Sequence, residues 1–328
     1  MPEPDDSDDG DRDDRDDRDG GDDQRQQQEP TRAGFVALVG APNVGKSTLL
    51  NRLVGTKVSI VSPKVQTTRR RVIGITLRGP AQIMFVDTPG IFQAKRRLEA
   101  AMVRAALTGA ADADILVVLV DPKRGLDANT RLVVDEVARQ AASKPAILAV
   151  NKLDTVRPEA TLPLIKQANE LHPFAETFLV SALTGDGCDD LLNHVAGRLP
   201  EGPWLYPEDQ LSDLSDRALA AEITREQIFL RLHEELPYSV TVETEGWAES
   251  PDGKEVRVDQ TIYVLRDSQK PIVIGKRGSQ LKAIGEAARH ELEKILEARV
   301  HLFLFVKVRE NWQEDPERYR EMGLDYER

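Results

Sequence analysis

Short apolar runs alternate with helix-length segments between residues 35 and 199. The segments 126–142 and 159–171 have the length and spacing of amphipathic helices. Because the apolar runs are continuous, we expect strands that are covered on both faces, as in a mostly parallel sheet. The predicted strands are 35–39, 72–77, 83–86, 115–120, 146–150 and 177–180. The pattern therefore predicts an α/β domain over residues 31–199.

A second domain is predicted after a proline-rich linker. Prolines 200, 203 and 207 would interrupt any helix, so residues 200–215 are expected to connect two domains. Beyond them the pattern predicts a smaller α/β domain over 216–310 and a C-terminal tail over 311–328. The predicted elements of this domain are a helix at 218–235, strands at 239–243, 256–265 and 300–308, and two helices within 274–296.

The negative charge is concentrated at one end of the chain. The 328 residues carry a net charge of −12, but residues 1–30 alone contain 14 acids and four arginines. This segment has almost no apolar side chain to bury, and we predict a disordered acidic tail. The remaining chain has 42 acids and 40 bases. A nearly neutral body is compatible with a nucleic-acid partner.

The apolar runs are too short for a membrane protein. A membrane span needs roughly 20 apolar residues, and the acidic N-terminus is unlike a basic signal or transit peptide. The single cysteine, Cys188, excludes an intramolecular disulfide framework, and we interpret it as a packing residue. We therefore expect a cytoplasmic protein.

The strongest motif follows the first predicted strand. Residues 40–47 fit the pattern G-x-x-x-x-G-K-[ST], directly before the helical run 48–53. Such a loop surrounds phosphate oxygens with backbone N–H groups, its Lys reaches the β- and γ-phosphates, and its Ser binds Mg²⁺. An accidental glycine-rich turn is the alternative. The predicted phosphate-binding residues are Gly40, Ala41, Pro42, Asn43, Val44, Gly45, Lys46, Ser47 and Thr48.

A carboxylate follows the third predicted strand. The sequence Asp87-Thr88-Pro89-Gly90 places Asp87 at a strand end, where a carboxylate can hold Mg²⁺ through water. A plain turn is the alternative. The predicted GTP-binding residues of this segment are Asp87, Thr88, Pro89, Gly90 and Ile91. Ras-like proteins carry a water-orienting Gln directly after Asp-x-x-Gly, whereas this chain has Ile91. Because an isoleucine cannot orient or polarise water, hydrolysis must rely on other groups.

Two further motifs predict which base is bound. Residues 151–154 read Asn-Lys-Leu-Asp after an apolar strand, with a helix cap as the alternative. The Asp154 carboxylate can accept from both N1–H and the N2 amino group of guanine, a pair of donors that adenine lacks, so GTP is predicted over ATP. The backbone at 181–182 can meet guanine O6. The predicted base-binding residues are Asn151, Lys152, Leu153, Asp154, Ser181 and Ala182.

The order of these motifs, each at a strand end, resembles the TRAFAC class of GTPases over residues 34–199. The resemblance implies a mobile switch segment at residues 66–71, Gln-Thr-Thr-Arg-Arg-Arg. Thr68 is the better match to the Thr that joins Mg²⁺ and the γ-phosphate, and Thr67 is the competing assignment. The arginines at 69–71 are interpreted as a solvated face rather than a catalytic finger, and they stay unassigned.

The same resemblance implies the metal ligands and catalytic groups. Mg²⁺ is expected at Ser47, Thr68 and, through water, Asp87, with Lys46 and Thr68 as the catalytic residues. Asn43 resembles the Asn that helps to hold K⁺ beside the β- and γ-phosphates in potassium-stimulated relatives. Such a cation would take the place of an arginine finger. The alternative, that Asn43 only accommodates the tight loop, stays open.

The second domain contains a basic loop between two predicted helices. Residues 275–278 have the spacing G-x-x-G of a KH loop, in which glycines let the backbone approach RNA phosphates. Residues 270–309 contain nine bases and four acids. A helix with solvated charge pairs is the alternative, but a basic region beside such a loop favours RNA binding. The predicted RNA-binding residues are Ile274, Gly275, Lys276, Arg277, Gly278 and Lys282.

Together with Glu-Leu-Pro-Tyr-Ser-Val at 235–240, these motifs resemble the Era-like family of bacterial GTPases over about residues 31–310. The resemblance implies a P-loop GTPase domain, a type II KH domain and slow hydrolysis of GTP. It further implies binding of GTP and GDP, of 16S ribosomal RNA near its 3′ end, and of the 30S subunit whose maturation the protein assists. A monomer is expected, and peripheral association with the inner face of the cell membrane stays open.

Two rival functions follow from the same residues. One is an RNA-binding assembly protein that uses GTP as a static lock and hardly hydrolyses it. The other is a tRNA-modifying GTPase of the same superfamily. The sequence lacks the C-terminal cysteine that such an enzyme would use.

Overall fold

The structure is a computed structural model that describes residues 30–94, 96–140, 144–310 and 312–326. The segment predicted to be a disordered acidic tail lies outside these residues, apart from Pro30. The described residues contain a six-stranded sheet and a three-stranded sheet.

The larger sheet has the predicted, mostly parallel arrangement. Its strand order is β2-β3-β1-β4-β5-β6, and every pair is parallel except β2 with β3. This result confirms the predicted α/β class. The strands are β1 (Arg32–Gly40), β2 (Val72–Arg78), β3 (Ala81–Asp87), β4 (Ile115–Val120), β5 (Ala146–Val150) and β6 (Glu176–Leu179).

Helices cover both faces of this sheet, so strands such as β4 are buried along their whole length. The sequence pattern did not single out α2 or α5. In α2 the buried positions are mostly Ala and Gly, which do not give the strong apolar spacing that marks a helix. The helices are α1 (Lys46–Val54), α2 (Arg97–Asp112), α3 (Ala128–Gln140), α4 (Leu162–Leu171) and α5 (Cys188–Arg198).

The second domain follows the order α-β-β-α-α-β that is expected of a type II KH domain. In its sheet, β7 is antiparallel to β8 and β8 is parallel to β9, with α6 and α8 packed on one face. The first helix ends at residue 231, earlier than predicted, because the chain becomes extended at Leu232. The elements are α6 (Asp216–Arg231), β7 (Val240–Glu249), β8 (Glu255–Val264), α7 (Lys270–Ile274), α8 (Ser279–Leu296) and β9 (Arg299–Val308).

The residues after β9 fold back onto the GTPase domain. They form a turn at Trp312–Glu314 and a short helix, α9 (Pro316–Glu321). Tyr319 and Leu324 are buried against Ala101 and Met102 of α2. This contact places the C-terminal residues across both domains.

The segment 200–215 lies along the free edge of β2. The N–H of Ile75 donates to the carbonyl of Leu211 at 2.9 Å, and the Asp213 N–H donates to the carbonyl of Ile73 at 3.2 Å. These bonds satisfy backbone groups that would otherwise form an open sheet edge. No helix within the described ranges has the length and apolar character needed to cross a membrane.

Gln82 on β3 fixes the start of this segment. Its side chain is fully buried, and its Oε1 accepts from the N–H groups of Leu205 and Tyr206 at 2.7 and 3.0 Å. Its Nε2 donates to the Tyr206 carbonyl at 2.8 Å. One amide side chain therefore satisfies three backbone groups of the connecting segment.

We expect Gln82→Met to destabilise the protein, because it keeps the side-chain length but leaves three backbone groups without partners. Each unsatisfied buried group costs about 1–3 kcal/mol, so the free energy of unfolding should fall by at least about 2 kcal/mol. Urea denaturation measures this change. The control is Gln167→Met at an exposed position of α4, where the change should stay within about 0.5 kcal/mol. Equal stability of the two variants would contradict the role of Gln82.

Candidate nucleotide and RNA sites

The phosphate loop connects β1 to α1 and closes around its own lysine. Gly45 has a φ of 99°, and a Cβ at this position would lie 2.3 Å from the Asn151 side-chain nitrogen, so only glycine fits. Lys46 is buried, and its Nζ donates to the carbonyls of Gly40 and Ala41 at 3.1 Å each. Burial lowers the pKa of Lys46 to about 8. Phosphate oxygens are better partners for this ammonium than the carbonyls that it meets here.

Three hydroxyls converge on the carboxylate of Asp87 at the end of β3. Asp87 Oδ2 accepts from Ser47 Oγ at 2.6 Å and from Ser59 Oγ at 2.9 Å. Thr68 Oγ1 lies 3.0 Å from Ser47 Oγ and 3.4 Å from Asp87 Oδ2. Thr67 is turned away, because its hydroxyl contacts Ser62 Oγ at 2.5 Å. The structure thus brings Ser47, Thr68 and Asp87 together and leaves Thr67 apart.

The environment of Asp87 suits a divalent cation. The residue is fully buried, and its Oδ1 has no hydrogen-bond partner in the part of the chain that the structure describes. Burial raises the pKa of this carboxyl, although Lys46 and the hydroxyl donors oppose the shift. A hard cation with oxygen ligands, such as Mg²⁺, would relieve this burial cost. No cluster of three His, Cys, Asp or Glu occurs in the described ranges, so hydroxyl and phosphate oxygens would complete the coordination.

The residues after Asp87 pack tightly beneath the phosphate loop. Thr88 Oγ1 donates to the Leu38 carbonyl at 3.0 Å, and Pro89 is buried. A Cβ on Gly90 would lie 2.8 Å from the backbone nitrogen of Pro42, so this glycine permits a close approach. Ile91 is only 2% exposed and belongs to the hydrophobic core. Its side chain is therefore held away from any attacking water.

The base-binding motifs are linked to each other and to the phosphate loop. Asn151 donates to the Val44 carbonyl at 2.8 Å and accepts from the Ala182 N–H at 3.0 Å. Ser181 Oγ donates to Asp154 Oδ1 at 2.6 Å, which fixes one oxygen of an exposed carboxylate. The side chains that were predicted separately from the ends of β5 and β6 thus form one recess. Leu153 joins it through its N–H, which donates to the Val180 carbonyl at 3.1 Å.

Sequence reasoning missed two charged residues that support this recess. Asp121 follows β4, and its Oδ2 accepts from Lys152 Nζ at 2.8 Å. The same Nζ donates to the Asn43 carbonyl at 2.6 Å, and Arg124 donates to the Pro42 carbonyl at 2.6 Å. The position of Asp121 directly after an apolar strand, like Asp87, was the available signal.

A cavity of about 370 Å³ opens above the phosphate loop, and both Ser47 and Thr68 line it. Asn43 has a φ of 64°, and its Nδ2 donates at 2.8 Å to the carbonyl of Pro63, which lies three residues before the switch segment. Thr48, which was also predicted to bind phosphate, lines the same cavity. The cavity is thus bounded by the phosphate loop on one side and by the switch segment on the other.

The predicted RNA loop lies between α7 and α8. Three of its four residues have positive φ values, 73° at Gly275, 54° at Arg277 and 78° at Gly278. A Cβ on Gly275 would lie 2.6 Å from the Cβ of Gln280, so glycine allows the loop to fold against α8. Lys276 and Arg277 are exposed at its tip.

A groove of about 620 Å³ extends from this loop between α8 and β9. Leu281, Leu302 and Leu304 supply its apolar walls, and its charged side chains are two bases, Lys282 and Arg289, and one acid, Glu286. Ile274 differs from the other predicted RNA-binding residues, because it is half-buried and packs into the core of the domain. Apolar walls beside basic side chains are suited to unstacked bases with a phosphate backbone.

Comparisons with known proteins support both candidate sites, the nucleotide site and the RNA site. Residues 35–152 match the family described as a 50S ribosome-binding GTPase, and residues 235–313 match the KH domain family. The chain is 60% identical to GTPase Era of Brucella suis over 296 residues, which cover 90% of this chain and 94% of that protein. It is 58% identical to GTPase Era of Afipia carboxidovorans over 301 residues, covering 92% and 97% of the two chains.

Solved structures resemble the whole two-domain arrangement. A crystal structure of Era in complex with MgGDPNP and nucleotides 1506–1542 of 16S ribosomal RNA is 41% identical, with a TM-score of 0.82, and covers 89% of this chain and 99% of its own. A variant of Aquifex aeolicus Era bound to GDP·AlF₄⁻ is 41% identical with a TM-score of 0.83 and the same coverage. These similarities, together with the geometry of the two sites, show that the chain belongs to the GTPase Era family.

Proposed function

We propose that the protein hydrolyses GTP as a slow switch and binds 16S ribosomal RNA near its 3′ end to assist assembly of the 30S subunit. The main observation behind this proposal is that Ser47, Thr68 and Asp87 lie together beside Lys46. The same chain carries a G-x-x-G loop at the end of a groove with basic side chains. The Era relative of known structure binds MgGDPNP and this region of 16S ribosomal RNA together. A cytoplasmic location follows from that role, and membrane association stays a prediction.

The geometry assigns a part to each group in GTP hydrolysis. The backbone of the phosphate loop and Lys46 hold the phosphates, and Lys46 stabilises charge on the transferring group. Ser47 and Thr68 would supply hydroxyl oxygens to the metal ion, and the Asp87 carboxylate orients both hydroxyls by accepting hydrogen bonds from them. Mg²⁺, when bound, neutralises phosphate charge. Since Ile91 is buried, no side chain at that position orients the water, which accounts for slow turnover.

The switch segment connects this chemistry to RNA. Residues 66–71 contact the nucleotide side through Thr68 and the second domain through Arg69. Ordering of this segment by GTP would therefore change how the KH domain presents its groove. A protein that used GTP as a static lock would, by contrast, release RNA without hydrolysing GTP.

Replacing Asp154 by Asn should weaken GTP binding and favour xanthosine triphosphate, because the amide no longer matches both donors of guanine. Hydrogen bonds to charged groups contribute about 1.5–3 kcal/mol, so GTP affinity should fall about 10- to 100-fold. Fluorescence titration with both nucleotides measures the change. Asp209→Asn, at an exposed position of the connecting segment, is the matched control. Unchanged GTP affinity of Asp154→Asn would contradict the base-recognition assignment.

Replacing Lys276 and Arg277 together by Glu should reduce affinity for a 16S 3′-end RNA by about tenfold or more at fixed salt, because phosphate contacts depend on cationic side chains. GTP binding should not change. The control pair, Arg157→Glu and Lys166→Glu, makes the same change in net charge at exposed positions of the GTPase domain. Gel-shift titration measures both pairs, and equal RNA affinity for the two would remove the loop from the RNA site.

We also propose that Asn43 supports a K⁺ site beside the phosphates. Its Oδ1 has no hydrogen bond within the described ranges, while its Nδ2 donates to the carbonyl of Pro63. Turnover should be faster in K⁺ than in Na⁺ at fixed ionic strength, and Asn43→Ala should remove that difference. Equal turnover of the unmodified protein in the two buffers would eliminate the K⁺ site.

A further inference from the structure

Arg69, which the sequence leaves unassigned, is buried between the two domains. It is 4% exposed, and its Nη1 donates to the Val240 carbonyl at 2.8 Å. Its Nη2 donates to the carbonyls of Pro237 and Tyr238 at 3.2 and 3.0 Å. All three acceptors belong to the second domain, at the start of β7. The expectation of a solvated face is therefore wrong for Arg69, because its whole guanidinium group is enclosed.

Two aromatic rings also contact this guanidinium group. Its central carbon lies 5.6 Å from the ring centre of Phe229 on α6 and 5.6 Å from that of Trp312. Trp312 is itself buried, and its Nε1 donates to the Ser239 carbonyl at 3.2 Å. Carbonyl dipoles and ring faces both favour a cation. We call this set of groups, the carbonyls of 237, 238 and 240 with the two rings, the arginine seat.

The arginine seat holds a cation that has no direct carboxylate partner among the described residues. Burial lowers the pKa of Arg69 to about 9. A buried cation is costly unless its surroundings compensate for the lost water. Arg69 is therefore stable in this position only while the second domain is docked, since that domain and Trp312 directly after it supply the whole seat.

A second contact fixes the residue on the other side of Thr68. The Thr67 carbonyl accepts from Arg225 Nη2 on α6 at 2.6 Å. Arg225 is 2% exposed, and Glu222 of the same helix holds it in an ion pair at 2.5 Å. Thr68 thus stands between two neighbours that are tied to the second domain, while its own hydroxyl faces Ser47.

We propose that Arg69 is a positioning residue of the GTPase, which holds Thr68 at the metal through its anchorage in the arginine seat. The inference rests on the proposed GTPase function and deepens it. Arg69 touches neither nucleotide nor metal position, and it acts by fixing the adjacent backbone. By linkage, nucleotides that engage Thr68 with Mg²⁺ stabilise docking of the second domain, and docking strengthens their binding by the same factor.

The test compares Arg69→Met and Arg69→Lys with Arg71→Met in the full chain. Arg71 lies two residues further on and is only half-buried, so its loss should have little effect. In Arg69→Met, affinity for MgGDPNP should fall about tenfold or more, as when a residue that orients a metal ligand is lost. Affinity for GDP should change less than about twofold, because GDP has no γ-phosphate to draw in Thr68. Arg69→Lys should be intermediate.

A second variant changes the arginine seat itself, by removing the ring of Trp312. Trp312→Leu should raise the Mg²⁺ concentration for half-maximal GTP hydrolysis, and it should add little to the effect of Arg69→Met when both are present. An unchanged affinity for MgGDPNP in Arg69→Met would overturn the inference, and so would equal losses for both nucleotides, which indicate general destabilisation. If the unmodified protein failed to hydrolyse GTP, the proposed function itself would fail instead.

Discussion

The burial of one carboxylate, Asp87, organises the GTPase domain. A charge with no access to water needs partners, and three hydroxyls and the ammonium of Lys46 provide them. These partners come from three parts of the chain: Lys46 and Ser47 from the end of the phosphate loop, Ser59 from the residues after α1 and Thr68 from the switch segment. The site is therefore assembled only when these segments meet at the end of β3. One oxygen of Asp87 still lacks a partner among the described residues, and this remaining cost is what a metal ion would relieve.

The parallel sheet explains why the remaining recognition groups lie beside that carboxylate. The carboxyl ends of β1, β3, β4, β5 and β6 share one edge, so a polar residue that follows any of them reaches the same recess. Lys152 shows how closely these loops depend on each other, since its ammonium joins Asp121 after β4 to the backbone of Asn43. The predicted phosphate-binding loop and the predicted base-binding loop are thus linked by direct contacts within the protein.

The parts of the fold and sites that the sequence could predict are those with local signals. Continuous apolar runs predicted the strands, and the motif at 40–47 predicted its own loop, because both depend on neighbouring residues. Arg69 could not be placed, since its burial depends on Trp312, more than two hundred positions away in the sequence. The same holds for Gln82, whose amide is explained only by backbone groups of a distant segment. A polar side chain with distant partners looks the same in a sequence as a solvated one.

The second domain also contacts the residues before the switch segment, partly through the helix that follows the RNA loop. Lys57 Nζ bridges Glu226 of α6 at 2.6 Å and Glu291 of α8 at 3.1 Å, and Glu226 also accepts from the Val61 N–H at 2.7 Å. Helix α8 begins directly after the loop at 275–278, so one continuous helix of 18 residues joins that loop to Glu291. A single helix therefore connects the loop at 275–278 to the ion pair between Glu291 and Lys57. The second domain thus contacts the switch segment at Thr67 through α6, and it contacts Lys57 through both α6 and α8.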